Sequence, residues 1–473
     1  TMDSHPLILG GNCKKTANLK EVQNPYTGQV CGIVSMAGRD EVLEALMIAE
    51  KGATVMARLP SHARAAILHR LADLMQEEAE ELTSIIIKEG GKVRKYAVAE
   101  VSRAIGTIRI SAEEAVRISG SMVPMDGYPA GEGHLAFSIR VPVGIVLAIT
   151  PFNLPLNQIC HKAGPAIAAG NSCIIKPSSA TPMTALKFGE LFLKAGLPKE
   201  AMSVLPCQSD IAELLAVHRR IGALSFTGSP EVGWHLRQVT KAGRITLELG
   251  GNAAVIVHDD ADIKTAAGRI VEGAFSHAGQ VCISVQRVFV QQKVYDSLVR
   301  EIESRCNALK IDDPEHIGTD IGPMIHEDKA SQALSRISEA LAKGAKLVCG
   351  GRREGAVLYP TVLVDTTPDM TINCDEVFAP VVTVTPYETF EEAIEMVNNS
   401  KYGLQAGLFT SDIKRAVYAA SSIECGAVVI GDIPTYRIDS MPYGGVKASG
   451  IGREGPFYAI REMTEERLII IKA

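Results

Sequence analysis

The sequence predicts an α/β protein built on parallel sheets covered on both faces. Short runs that are apolar throughout recur between helix-length segments, at residues 144–149, 172–175, 202–205, 223–226 and 245–248. Strands without a polar face belong to sheets buried on both sides. The same alternation starts again at residues 253–257, which predicts a second α/β unit. A length of 473 residues also exceeds what one core holds, since single cores stop growing at roughly 250–300 residues, so two or three domains are expected.

Taken in order, Leu68, Leu71, Leu74, Met75, Ala79, Leu82, Ile85 and Ile86 recur at three- and four-residue spacing with Glu and Lys between. This predicts several amphipathic helices over residues 40–120, opening the chain. Residues 122–143 alternate around Pro124, Gly127, Pro129, Gly131 and Gly133 and read as a projecting hairpin. The five buried strands follow. In the second unit a helix is expected over 262–278, and strands at 285–290, 381–384 and 427–430. The glycine-rich stretch from 444 ends in a strand-like run at 467–471. No internal repeat or low-complexity segment is present, which sets aside solenoids and propellers. Residues 1 to about 5 read in part as an expression remnant, since Thr1 precedes Met2.

Lys and Arg number 48 against 54 Asp and Glu, a net charge of −6, with 46% hydrophobic residues. No block of like charge stands out, so a nucleic-acid backbone, which needs clustered cations, is a poor partner. A small molecule is the better one. The 10 cysteines form no C-x-x-C pair and no zinc-type spacing with His, so no metal is expected. The most apolar stretches, such as residues 144–150, are broken well before membrane-spanning length. A soluble, cytoplasmic protein with reduced thiols is expected.

Gly450-Ile-Gly-Arg-Glu-Gly455 matches G-x-G-x-x-G, but it follows no predicted strand and too little chain remains for an acidic ribose ligand. It reads as a tight turn. P-loop, zinc-protease and serine-hydrolase signatures are absent. Five polar clusters at strand-to-helix junctions remain, where open α/β sheets place ligands. Asn153, between Pro151 and Pro155, offers a neutral donor for an oxyanion or a cap for the next helix. Lys176 leaves a strand beside Ser178 and Ser179, in reach of ribose or phosphate or else solvated. Gly228 and Ser229 open a helix, which suits a pyrophosphate or a simple cap. Glu248 ends an apolar strand, where burial raises a carboxyl toward general-base range. Cys282, past the end of a helix in Gly279-Gln-Val-Cys, is the thiol with the context least like packing, although a free Cys commonly serves as a small hydrophobe.

In this order, and with Glu376-Val-Phe-Ala-Pro380, these motifs resemble the aldehyde dehydrogenase superfamily over essentially the whole chain. The resemblance implies a Rossmann-like NAD(P)-binding domain (1–120 and 143–248), an α/β catalytic domain (249–443) and a small β bridging element for oligomerisation (121–142 and 455–473). A homodimer or homotetramer is expected. It further implies Cys282 as the nucleophile toward an aldehyde, Asn153 and the Cys282 N–H as oxyanion donors, Glu248 as the base that hydrolyses the thioester, and Lys162 in support. NAD or NADP would lie against Thr150, Phe152, Lys176, Ser178, Ser179, Gly228, Ser229, Gly233, Leu249, Glu376 and Phe378.

One departure concerns the cofactor: many NAD-selective members carry Glu at the position of Ser179, and a serine does not repel a 2′-phosphate. Members that acylate coenzyme A generally lack the glutamate found here as Glu248, so hydrolysis is favoured, with CoA acylation or a non-catalytic relative as alternatives. The sequence is similar to members acting on lactaldehyde, glyceraldehyde 3-phosphate, or phosphono- and sulfoacetaldehyde. Arg103, His161 and Arg437 fall where related enzymes hold anionic tails. The alternative is structural pairing, of Arg103 with Glu100 and Arg437 with Asp439. Val281 stands where some of those enzymes carry a further arginine.

Overall fold

Each run of Ile, Val, Leu and Ala without a polar face forms a strand, because both sides of the sheet are covered by helices. The computed structural model describes residues 4–472; residues 1–3 of the expected expression remnant lie outside them. The first sheet has eight strands in the order Asn12–Lys14, Leu7–Leu9, Met202–Val204, Ser172–Lys176, Ile145–Ile149, Ile221–Thr227, Arg244–Glu248 and Gly450–Ile451. The five strands from Ile145 to Glu248 are those expected, and they pair in parallel. The chain runs outward from Ile145–Ile149 on one side, then returns to its other side at Ile221–Thr227. That reversal opens a crevice at the carboxyl ends of these two strands.

The second sheet runs Lys346–Cys349, Thr361–Val364, Val381–Tyr387, Arg287–Gln291, Ala254–Val257, Gln405–Phe409, Ala427–Ile430. It is parallel except at its first pair. A third sheet joins Met122–Val123 to His134–Pro142, and pairs the latter over nine residues with the C-terminal strand Thr464–Lys472. The helix Pro456–Glu462 precedes that last strand.

The expected helices over 40–120 are Arg39–Arg58, Ser61–Glu77, Ala79–Gly90 and Arg94–Ala115. They do not open the chain, however. Strands at Leu7–Leu9, Asn12–Lys14, Leu19–Gln23 and Val30–Ser35 come first; the first two are only three residues long, and the others, LKEVQ and VCGIVS, neither alternate nor are apolar throughout. The helix expected to reach residue 278 stops at Phe275, because His277, Ala278 and Gly279 take φ of 49°, 53° and 68°. Three consecutive left-handed residues cannot continue a right-handed helix. At Gly279 a Cβ would stand 2.1 Å from the carbonyl oxygen of Ala379, so only glycine fits.

Two buried carboxylates fix the helices around the crevice. Glu89 accepts from the backbone N–H of Met183 (2.8 Å) and Thr184 (2.9 Å) at the start of the helix Pro182–Lys194. Glu100 accepts from those of Leu156 (2.9 Å) and Asn157 (3.2 Å), where the helix Asn157–Ala168 begins. Both helices thus have their free N–H groups satisfied by carboxylates far away in sequence.

Candidate active site

The loop after Ile145–Ile149 carries Asn153. Lys92, itself buried and paired with Glu100, donates to the Asn153 carbonyl oxygen at 2.6 Å. The loop is thereby tied to the first layer of helices. Asn153 does not cap the next helix, whose first N–H groups are taken by Glu100. Its Nδ2 instead donates to the Gln280 carbonyl oxygen at 2.9 Å, two residues before Cys282.

Cys282 is half-buried, in the turn that follows the left-handed residues. Its Sγ lies 2.9 Å from the Tyr443 hydroxyl. Burial pushes the thiol up to about 11, against the opposing pull of Tyr443 and Arg437. Arg437 sits with its guanidinium carbon 3.6 Å from the centroid of the Tyr443 ring, a cation–π contact. Sequence reasoning misses Tyr443, because one aromatic residue in a glycine-rich loop carries no periodic or motif signal.

Glu248 ends its strand at 2% exposure, and neither carboxylate oxygen has a hydrogen-bond partner. Its carboxyl is held well above the usual range, first by burial and then by the negative Glu454, with Arg437, Lys162 and Arg453 opposing. Lys162 donates to Glu454 at 2.6 Å and to Thr227 at 2.8 Å, and Arg437 approaches Glu454 at 3.3 Å. Burial works to raise the Glu454 carboxyl, but Lys162 and Arg437 outweigh it and hold it low. The glycine motif at 450–455 therefore delivers Glu454 to the site. Gly450, Gly452 and Gly455 take φ of 137°, 81° and 100°, conformations that favour glycine.

Two cavities meet at Cys282. The larger, about 630 Å³, lies in the crevice at the strand ends. Thr150, Phe152, Lys176, Ser178, Ser179, Gly228, Ser229 and Leu249 line it. Glu376, Phe378, Asn153 and Glu248 also line it. Lys176 is 9% exposed and burial lowers its ammonium. Ser178 accepts from the Ala180 N–H at 3.2 Å, and Ser229 caps the helix Pro230–Val239 through the Val232 N–H at 3.4 Å. Gly233 is not in the lining; a Cβ there would meet Leu249 at 2.3 Å, so it lets this helix pack. Burial pushes Glu376 up to about 7, and it accepts from the Gly251 N–H at 3.0 Å. Phe152 and Phe378 meet edge to face at 5.9 Å.

The smaller cavity, about 240 Å³, has Arg103, Arg437, Lys92 and Tyr443 in its walls. The pairings differ from those expected. Arg103 grips Asp439 through two bonds of 3.0 and 2.7 Å, whereas Arg437 turns to Glu454. His161 is buried and absent from the lining, with Nε2 2.9 Å from Asp439. Burial and the neighbouring Arg437 lower its pKa. Burial works to raise Asp439, but His161 and Arg103 hold it far below the usual range. The Arg437 Nε is buried without a partner. Among the described residues no group of three or more His, Cys, Asp or Glu could hold a metal ion, and no helix is long and apolar enough to cross a membrane.

The arrangement places a thiol, an amide donor and a buried carboxylate between two cavities, which suits covalent attack on a carbonyl followed by hydrolysis. A 3-sulfolactaldehyde dehydrogenase of Priestia megaterium is 44% identical over 466 residues, covering 98% of this chain and 97% of that protein. The NADP-dependent glyceraldehyde-3-phosphate dehydrogenase of Bacillus halodurans, solved with NADP, is 35% identical and matches 100% of both chains with a TM-score of 0.97. Aldehyde dehydrogenase 21 of Physcomitrella patens, solved with its reaction product succinate, is 36% identical with a TM-score of 0.98, over 100% of this chain and 99% of that one. The profile of the aldehyde dehydrogenase family matches residues 13–469, and on sequence, fold and site together the chain belongs to that family.

Proposed function

We propose that this protein oxidises a small aldehyde with an anionic tail to its carboxylic acid, using NAD or NADP and releasing the acyl group to water. The observation that carries the proposal is the position of Cys282 at the junction of the two cavities, one sized for a dinucleotide and one for a small substrate.

The Cys282 thiolate attacks the aldehyde carbon to form a thiohemiacetal. Asn153 Nδ2, exchanging the Gln280 carbonyl for the substrate, and the Cys282 N–H hold the oxyanion, which favours the tetrahedral state. A nicotinamide dinucleotide in the larger cleft would accept the hydride, leaving the acyl group on sulfur. Glu248, kept from ionising early by burial, takes a proton from the water that cleaves the thioester. The aldehyde, NAD(P)⁺ and water become the acid, NAD(P)H and a proton.

The cleft fits the cofactor. Its glycines leave room for the backbone to approach: a Cβ on Gly250 would lie 2.4 Å from a Glu376 carboxylate oxygen. Lys176, with Ser178 and Ser179 beside it, suits the adenosine ribose, and uncharged Ser179 makes NADP acceptable. Phe152 and Phe378 offer an apolar edge for the nicotinamide side. The anionic tail is supported by the unpartnered Arg437 Nε and by Arg103 in the wall of the smaller cavity. The named substrates of the Priestia and Bacillus relatives carry a sulfonate and a phosphate. His161 serves by holding Asp439, not by touching substrate.

We keep the division into cofactor-binding, catalytic and bridging parts, and propose a homodimer or homotetramer through the bridging sheet, where Met122, Leu468, Ile470 and Ile471 are exposed. Ten free thiols fit a reducing compartment, the cytoplasm.

The test is NAD(P)H formation without CoA from 3-sulfolactaldehyde, glyceraldehyde 3-phosphate, succinic semialdehyde and propionaldehyde. Expected is a preference for an anionic aldehyde of about tenfold or more, lost in Arg437→Met. Equal turnover of propionaldehyde would remove the anionic tail, and turnover only with CoA would replace hydrolysis by acyl transfer.

A further inference from the structure

Tyr443 is placed in contact with the nucleophile by several independent restraints. It is 1% exposed. Its backbone pairs with Glu454 in both directions, at 3.1 and 2.7 Å. Arg437, held by Glu454, lies 3.6 Å from the ring centroid. Its hydroxyl then falls 2.9 Å from Cys282 Sγ.

We propose that Tyr443 is a further catalytic residue, donating its phenolic hydrogen bond to the Cys282 thiolate and so setting how much attacking sulfur is available. The inference rests on Cys282 being the nucleophile. A thiolate at this position faces two unfavourable neighbours, the carboxylates of Glu248 and Glu376, in addition to the cost of burial. Tyr443, by its hydrogen bond, and Arg437, by its charge, act in its favour. A cation over the ring face withdraws electron density and strengthens the phenol as a donor, so Arg437 also acts through Tyr443. Burial keeps the phenol protonated, so it remains a donor throughout the working pH range. The thiol proton leaves to solvent and the phenolic proton stays on oxygen. When sulfur bonds to the aldehyde carbon the negative charge moves to the carbonyl oxygen and the hydrogen bond weakens; it is restored when the thioester is cleaved and sulfur leaves as thiolate.

Tyr443→Phe tests this, since the ring stays under Arg437 and only the hydroxyl is lost. The rate of Cys282 alkylation by iodoacetamide is followed against pH, from the mass of the Cys282 peptide, without aldehyde or cofactor. A hydrogen bond to a charged group predicts alkylation slowed roughly tenfold to hundredfold near pH 8, with the profile displaced to higher pH. The NAD(P)H burst falls by a similar factor while KM for the aldehyde changes little. An unchanged alkylation profile in a variant with the wild-type unfolding temperature overturns the proposal, and so does a displaced profile with an unchanged burst. If the variant does not fold, replacing tyrosine throughout by 3-fluorotyrosine makes the phenol a stronger donor. The alkylation profile then moves to lower pH, and its failure to move counts against Tyr443. Cys282→Ala with undiminished NAD(P)H production would locate the failure in Cys282 rather than in Tyr443.

Discussion

Lys162 Nζ lies 2.6 Å from Glu454 Oε1, and neither side chain is more than 2% exposed. The pair holds a negative charge next to Glu248, and Glu454 is among the groups that raise the Glu248 carboxyl. Removing Lys162 as Lys162→Met leaves the buried Glu454 with Arg437, 3.3 Å away, as its nearest remaining cation, a loss of up to about 3–5 kcal/mol, read as a lower urea midpoint. The Glu454 carboxyl is held low in the folded protein. Its contribution to stability is therefore present above the ordinary carboxylate range and lost as pH falls through the folded value. The difference in urea midpoint between wild type and Glu454→Gln should shrink as pH falls through that range.

As the proposed base Glu248 would work only when ionised, and its carboxyl is held well above the usual range. Steady-state turnover should therefore rise with pH through an ionisation displaced to higher pH than an ordinary glutamate. Glu454→Gln, by removing a neighbouring negative charge, should move that limb to lower pH. Glu248→Gln should give a burst of NAD(P)H and then turnover slowed about 10²–10⁴-fold. Mass spectrometry of the stalled enzyme should find the acyl group on Cys282. A full steady-state rate would exclude Glu248 as the base.

Asn153 is aimed at the Cys282 turn by its bond to the Gln280 carbonyl oxygen. Asn153→Ala removes the side-chain donor and should lower kcat about 10²–10³-fold, with the alkylation rate of Cys282 little changed. Lys92→Met, which frees the Asn153 carbonyl and leaves the buried Glu100 without its cation, should lower kcat and the unfolding temperature together. That contrast in the unfolding temperature separates a donor to the oxyanion from a residue that holds the loop.

The parallel strands and the residues at their ends are legible in the sequence because both obey local rules. Apolar runs make strands, and Asn153, Lys176, Glu248 and Cys282 stand where strands and helices meet. What escapes local rules is pairing across the chain. Glu89 and Glu100 accept from backbone N–H groups 94 and 56 residues later in the chain, so nothing in the sequence beside either helix names the carboxylate that caps it. Glu454 lies 292 residues from Lys162 inside a glycine motif that resembles a nucleotide loop. The opposite partners chosen by Arg103 and Arg437 depend on which helix faces which loop, information held only in the tertiary packing.

Ser179 lines the larger cleft with Lys176, and under the proposed function this pair decides between the cofactors. A hydroxyl neither repels a 2′-phosphate nor grips both ribose hydroxyls as a carboxylate does, so NADP should be used at least as well as NAD. Ser179→Glu places a negative charge where the 2′-phosphate would lie, and such like-charge contacts cost several kcal/mol. KM for NADP should rise roughly 100-fold or more, while KM for NAD stays within a few-fold because a carboxylate can accept from the 2′- and 3′-hydroxyls. Initial rates with both cofactors at a fixed aldehyde concentration measure the ratio. An unchanged NADP-to-NAD ratio would mean that Ser179 does not face the ribose, and that Lys176 alone sets the preference.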